Sequence, residues 1–305
     1  MWSPYVNSPI SYIEPLFRPP SEARSLIFQV TNGCSWNKCS YCDMYTQPQK
    51  KFSLKADADV EAEIAWAGAH LEGVRRVFLA DGDAMSLSTR RLLRILELIR
   101  THLPTVDRVS SYCSSFNLRG KSVEELAQLR EAGLKLIYMG AESGDDFVLE
   151  SIRKGDTHAG TVKALNDLRA AGIKRSVMII NGVGGKRYSE QHALNSAKLA
   201  NETQPEYLSS LVINHPHGQA RFEAGYVEHG GVYEHMEQHA RFKELRTFVG
   251  ALELDQTVFR SDHASNQLAL KGTLGKDKAA LLTQIDTAIK APEQAQLRPV
   301  WIRPF

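Results

Sequence analysis

Three cysteines, Cys34, Cys39 and Cys42, stand at C-x4-C-x2-C spacing immediately after the apolar run at 26–30. No other stretch restricts the fold as much. A loop that tight can turn three thiolates toward one point, as a metal ion or an iron–sulfur cluster requires. Four cysteines in 305 residues, three of them bunched, would leave most of the chain unstapled if they formed disulfides. They therefore point to a reducing compartment rather than a disulfide framework. On the residues alone, two centres remain open. One is a zinc site whose fourth ligand would be Cys113 or a histidine, and the other is a cluster with one iron corner left free.

The chain is long enough to bury a substantial core as one large α/β domain or two ordinary ones. Its 43% hydrophobic and 24% charged content is that of an ordinary globular protein. A net charge of +2 gives no electrostatic reason to expect nucleic acid or an anionic membrane as partner. No apolar run approaches the roughly 20 residues that cross a bilayer. Residues 1–23 lack a basic segment followed by an apolar one, and their prolines break any helix, so they read as an extended arm lying on a cytoplasmic protein.

From residue 25 to about 213, short apolar runs alternate with amphipathic stretches, the pattern of parallel βα units. Strands are predicted at 26–30, 76–80, 107–111, 135–139, 174–180 and 207–213. Helices are predicted between them at 60–71, 89–102, 123–132, 147–152 with 161–171, and 189–201. Ser122 with Glu125 three residues on reads as a capping box. Right-handed crossovers would curl six such units into an open barrel. Beyond 213 the alternation stops: one long helix is expected at 232–253, irregular chain at 259–272 and a second helix at 276–289. The expected fold class is α/β, a (βα)6 partial TIM barrel with a mainly helical C-terminal extension. The expected domains are the arm at 1–23, the core at 24–215 and the extension at 216–305, packing on the barrel.

A strand, then a cysteine loop with an aromatic before its last cysteine (Tyr41-Cys42), resembles the radical S-adenosylmethionine (SAM) superfamily. The superfamily's commonest loop is one residue shorter. The segment Gly140-Ala141-Glu142-Ser143-Gly144 resembles the G-x-E-S-G stretch of its Elp3/MiaB/NifB-type branch. The resemblance implies a (βα)6 partial barrel in which Cys34, Cys39 and Cys42 hold a [4Fe–4S] cluster. It implies that SAM chelates the open iron and is cleaved reductively to a 5′-deoxyadenosyl radical, which abstracts hydrogen from a substrate. A flavodoxin or ferredoxin is the implied electron donor.

In α/β barrels the chemistry sits at the C-terminal ends of strands, and the remaining candidates all follow predicted strands. Asp81-Gly82-Asp83 resembles the superfamily's Gly-Gly-Glu segment and is expected at the SAM ammonium, although an Asp-Gly turn would also cap the next helix. Glu142 and Ser143 are expected to hold ribose or ammonium, the alternative being a buried acid paired with a basic residue. Tyr41 is expected beside the adenine, Ser111 at SAM, and Asn181 with its following glycines against the adenine. Cys113 is a candidate hydrogen donor to a substrate radical, or a small buried filler. His215 and His217 are candidates for binding or proton transfer, and His235 with His239 read as surface residues. Arg260, His263 and Asn266 are expected in a lid or substrate loop.

With no second cysteine cluster in the sequence and no stretch of a size to bind cobalamin, methylthiotransferases, proteins with auxiliary clusters and cobalamin-dependent enzymes are not the expectation. The function expected is a single-cluster radical SAM enzyme acting on a small molecule or peptide. The rivals are a zinc-containing binding protein without redox chemistry and a radical SAM enzyme that modifies RNA.

Overall fold

The computed structural model describes residues 8–215 and 218–299. They gather into two compact units, one taking 8–37, 44–139 and 167–174, the other 38–43, 140–166 and the chain from 175 onward. Among the described residues no helix is long and apolar enough to cross a membrane.

The first unit opens with an extended segment fastened to the domain: Tyr12 donates to the Ile27 carbonyl at 3.0 Å, and the Ile13 N–H to Gln29 Oε1 at 2.8 Å. Strand β1 (Leu26–Gln29) follows, then β2 (Thr31–Asn32), which pairs antiparallel with β3 (Ser53–Leu54). Next come α1 (Asp57–His70), β4 (Arg76–Ala80), α2 (Thr89–His102), β5 (Arg108–Tyr112), α3 (Val123–Glu131) and β6 (Leu134–Glu142). β1, β4, β5 and the first part of β6 form a parallel ladder, with Phe28 beside Leu79 and Phe78 beside Ser110. Their near-continuous apolar runs are what burial on both faces demands. Leu92, Ile95, Leu96 and Ile99 recur at i, i+3, i+4 and i+7 along α2 and are buried, which is why that stretch is a helix lying on a core. Ser88 caps it by accepting from the Arg91 N–H, and Ser122 with Glu125 forms the expected capping box on α3.

The second unit carries α4 (Asp146–Ser151), β7 (Lys174–Asn181), α6 (Gly185–Thr203) and β8 (Tyr207–Val212); α5 (His158–Ala170) precedes β7. α7 (Gln219–Glu228), α8 (Gln238–Ala251), β9 (Val258–Ser261), β10 (Leu270–Thr273) and α9 (Leu274–Lys290) complete it.

All six expected strands are present, and the α/β class with a mostly parallel sheet holds. Beyond residue 213 the structure departs from the expectation. The helix expected at 232–253 is shorter, α8 starting only at Gln238; residues 232–237 are not helical, the Glu234 carbonyl accepting from the Lys186 N–H at 2.8 Å, and α7 is an additional helix that ends before Gly230. The stretch expected to be irregular holds two strands, β9 parallel to β8 and β10 antiparallel to β9. Four residues with Phe259 and Ser261 inward and Arg260 outward are too short a run for alternation to declare itself.

Candidate functional site

In the first unit, two acids follow β4, and both are fully buried but used differently. Asp81 is ion-paired to Lys50, itself fully buried, and also accepts from Gln29 Nε2 at 3.2 Å and the Gly33 N–H at 3.4 Å. These contacts all fall on Oδ2, which braces the entry to the cysteine loop, while Oδ1 is buried without a partner. Asp83 Oδ2 accepts from the Ser35 N–H at 2.6 Å and from the Ser35 hydroxyl, with Cys34 Sγ 3.8 Å away. Its Oδ1 is buried and has no hydrogen-bond partner. Burial pushes the Asp83 carboxyl above its ordinary value, against the opposing pull of bonds from Ser35, Cys34 and Asn117. Gly82 packs so closely on Tyr45 that a Cβ there would stand 2.6 Å from its ring. Ser111 is also buried, its hydroxyl engaged by the carbonyls of Leu79 and Tyr112, both at 3.0 Å. Cys113 is buried with Sγ 3.1 Å from the Ser114 carbonyl.

In the second unit, Tyr41 lies between Cys39 and Cys42 in sequence and donates its hydroxyl to Glu142 Oε1 at 3.1 Å. Lys154 Nζ reaches the same oxygen at 3.1 Å and the Tyr41 oxygen at 3.4 Å. Burial raises the Tyr41 hydroxyl well above its ordinary value, and the charges of Cys39 and Glu142 raise it further, so Tyr41 stays a donor. Burial alone would depress Lys154, but the charge of Glu142 overrides it and holds the ammonium raised. Burial likewise raises the Cys39 thiol. Lys154 is the basic residue that the buried-acid alternative for Glu142 required.

Glu142 ends β6 with φ at +65°, a left-handed conformation that costs a side-chain-bearing residue of order 1–3 kcal/mol. The turn folds its carboxylate back over Gly140, where a Cβ would stand 2.0 Å from Glu142 Oε1. The glycine two residues before the acid is therefore a steric requirement of the acid's position. Gly140→Ala is expected to drive the carboxylate off Tyr41 and Lys154 and destabilise the protein by about 1–3 kcal/mol. An unchanged urea midpoint would show that the carboxylate has another seat.

Ser143 is fully buried, its hydroxyl 2.8 Å from His192 Nδ1. Asn181 ends β7 and donates to the Arg241 carbonyl at 3.1 Å. His215 follows β8 and packs against the rings of Phe222 and Tyr233, and its Nε2 is buried without a partner. His217 lies outside the described residues. His235 precedes α8, so it does not share a helix face with His239, although both are exposed. The loop expected as a lid or substrate loop is held by hydrogen bonds to its neighbours. Asn266 is buried and donates to the Ser210 carbonyl at 2.8 Å, the Ser265 hydroxyl accepts from the Val212 N–H at 3.2 Å, and Arg260 sits on β9.

Sequence reasoning missed Lys50 and the buried pair His192 and Glu244, whose Nε2 and Oε1 are 3.7 Å apart. None adjoins a motif, and a lysine, histidine or glutamate on an amphipathic stretch reads as solvated until its neighbours are known.

Cys34 belongs to the first unit and Cys39 with Cys42 to the second; all three are partly exposed. Among the described residues, no three His, Cys, Asp or Glu side chains gather closely enough to hold a metal ion. The donor chemistry nonetheless fits a cluster and SAM: three soft sulfur ligands in one short loop suit iron–sulfur ligation. The buried, unpartnered Oδ1 of Asp83, whose other oxygen lies 3.8 Å from Cys34 Sγ, suits an ammonium group.

Comparison with known proteins agrees. Residues 28–200 match the radical SAM superfamily model, more than half of the chain, and the chain belongs to that superfamily. It is 23% identical over 182 residues to the heme chaperone HemW of Bacillus subtilis (strain 168), a match taking in 57% of this chain and 47% of HemW. This chain thus spans about half of that relative's length. Among solved structures it is similar to coproporphyrinogen III oxidase (HemN) from Escherichia coli, at TM-score 0.55 and 16% identity, over 74% of this chain and 51% of that one. It is also similar to methylornithine synthase (PylB), at TM-score 0.50 and 14% identity, over 90% and 74%. At these identities the structural likenesses establish the fold. The expected Elp3/MiaB/NifB-type branch is corrected by the HemW match; the G-x-E-S-G segment that suggested it answers to the local packing of Gly140 and Glu142.

Proposed function

We propose that this chain is a single-cluster radical SAM enzyme of a HemW- and HemN-like branch. The observation that carries this reading is that the cysteine loop and both acid-bearing strand ends lie inside the matched superfamily segment, residues 28–200. Cys34, Cys39 and Cys42 are the residues that would hold a [4Fe–4S] cluster, through their thiolates. When bound, the cluster and SAM supply a one-electron reductive cleavage whose product abstracts hydrogen. This chain's own contribution is positioning. Asp83, clamped through one oxygen by Ser35, offers the other to the SAM ammonium. Glu142 is held by Tyr41 and Lys154 for a ribose hydroxyl. A small molecule or peptide is the proposed substrate class, a flavodoxin or ferredoxin the electron donor, and the core and C-terminal extension remain the proposed domains.

The test is anaerobic reconstitution: about four irons per chain, a colour bleached by dithionite, and release of 5′-deoxyadenosine from SAM, all lost in Cys39→Ala. A colourless protein holding one zinc would overturn the reading. The HemW match favours a second reading, heme carriage. Saturable hemin binding without turnover of SAM would select it.

A further inference from the structure

The turn after β7 is tied down almost entirely by residues C-terminal to β8. The Gly182 N–H donates to Glu244 Oε1 at 2.5 Å, the Gly182 carbonyl accepts from Tyr233 at 3.2 Å, and the Val183 carbonyl accepts from Tyr226 at 2.5 Å. Four residues on, the Lys186 N–H donates to the Glu234 carbonyl at 2.8 Å. Gly182 holds φ at +86°, and a Cβ there would stand 3.1 Å from Ile213 Cγ2, so the turn is as tight as its clamps. The three clamping side chains come from α7, from the stretch after it and from α8, and all are buried.

We propose that this C-terminal segment positions the cofactor face of the chain, with Glu244 as the positioning residue that sets the Asn181–Gly185 turn. The proposal rests on the SAM reading above, in which this turn meets the adenine. Glu244 is faced by His192 and Ser189 of α6, by Arg241 of its own helix, and by Tyr226 and Tyr233. His192 in turn feels Asp145. Glu244 Oε2 is buried without a partner. Burial raises the carboxyl to about 7 against the opposing pull of the Gly182 N–H, Ser189 and Arg241, while burial lowers His192 to about 4. The charge state of the clamp on Gly182 therefore changes near neutrality. An ionised carboxylate grips the N–H more strongly than a protonated one.

The experiment pairs hydrogen exchange of a peptide spanning 180–186 in the unloaded chain with SAM affinity of the reconstituted protein by equilibrium dialysis. In Glu244→Ala, exchange of the turn is expected to accelerate and the Kd for SAM to rise, each about tenfold, the worth of one charge-assisted hydrogen bond. Glu244→Gln keeps a neutral acceptor, so both readouts should fall between wild type and Glu244→Ala at pH 8, and the variant should lose the wild type's dependence on pH between 6 and 8. Unchanged exchange in Glu244→Ala overturns the clamp. Faster exchange with unchanged SAM affinity overturns its link to the cofactor. A reconstituted wild type that binds no SAM, with the turn still responding, overturns the SAM reading and leaves the clamp supported.

Discussion

Replacing Lys50 with methionine is expected to cost about 3–5 kcal/mol of stability, because it strands a carboxylate in the core. Lys50 and Asp81 are both completely buried and ion-paired. Gln29 and the Gly33 N–H donate to Asp81 at 3.2 and 3.4 Å, but neither brings a compensating charge. Lys50 also donates to the Ile13 carbonyl at 2.8 Å, so the substitution frees the N-terminal arm as well. Urea unfolding should show the loss as a lower midpoint. Removing both charges, as Lys50→Met with Asp81→Leu, should recover most of it, since replacing a buried pair by apolar residues is often neutral. A Lys50→Met protein within about 1 kcal/mol of wild type would refute a dry ion pair at this position.

The second large effect is a dependence on pH that the wild-type protein conceals. Glu244 is raised by burial to about 7 from its ordinary 4.5, so the folded chain holds this proton more tightly than the unfolded chain. Its contribution is complete below about 4.5 and is lost as pH rises toward 7. His192 is lowered by burial to about 4 from 6.5, so its neutral form is favoured in the fold. Its contribution is complete above about 6.5 and is lost as pH falls toward 4. Each spans about 3 kcal/mol, and over the shared window the two oppose each other. Glu244→Gln should unmask a stability that climbs from pH 4 to 6.5. His192→Gln should unmask one that declines from about 4.5 to 7. Parallel midpoint-against-pH curves for wild type and both variants would rule the pair out as the source.

The cysteine loop, the six strands of the βα alternation and the capping box on α3 were legible in the sequence because each rests on local rules: spacing, period and cap chemistry act within a few residues. β9 and β10 were not, since strands of four residues carry too little alternation and are defined by the neighbour they pair with. The late start of the helix expected at 232–253 goes with Lys186, a residue distant in sequence, donating to the Glu234 carbonyl.

By itself, then, the sequence determined the radical SAM class and the residue types available for a cluster, because thiolate spacing and strand-end glycines are written in consecutive positions. Only the tertiary structure decided what each acid does. Asp81 and Asp83 are two residues apart and equally buried, and each keeps one unpartnered oxygen, yet Lys50 pairs its charge with Asp81 while the other oxygen of Asp83 is held by Ser35 near Cys34. Glu142 depends on Lys154 and Tyr41, and Glu244 on a glycine turn 62 residues earlier in the chain. Whether a buried carboxylate serves the fold or is left for a ligand depends on which charges and donors fold against it, and those come from parts of the chain that no local pattern connects.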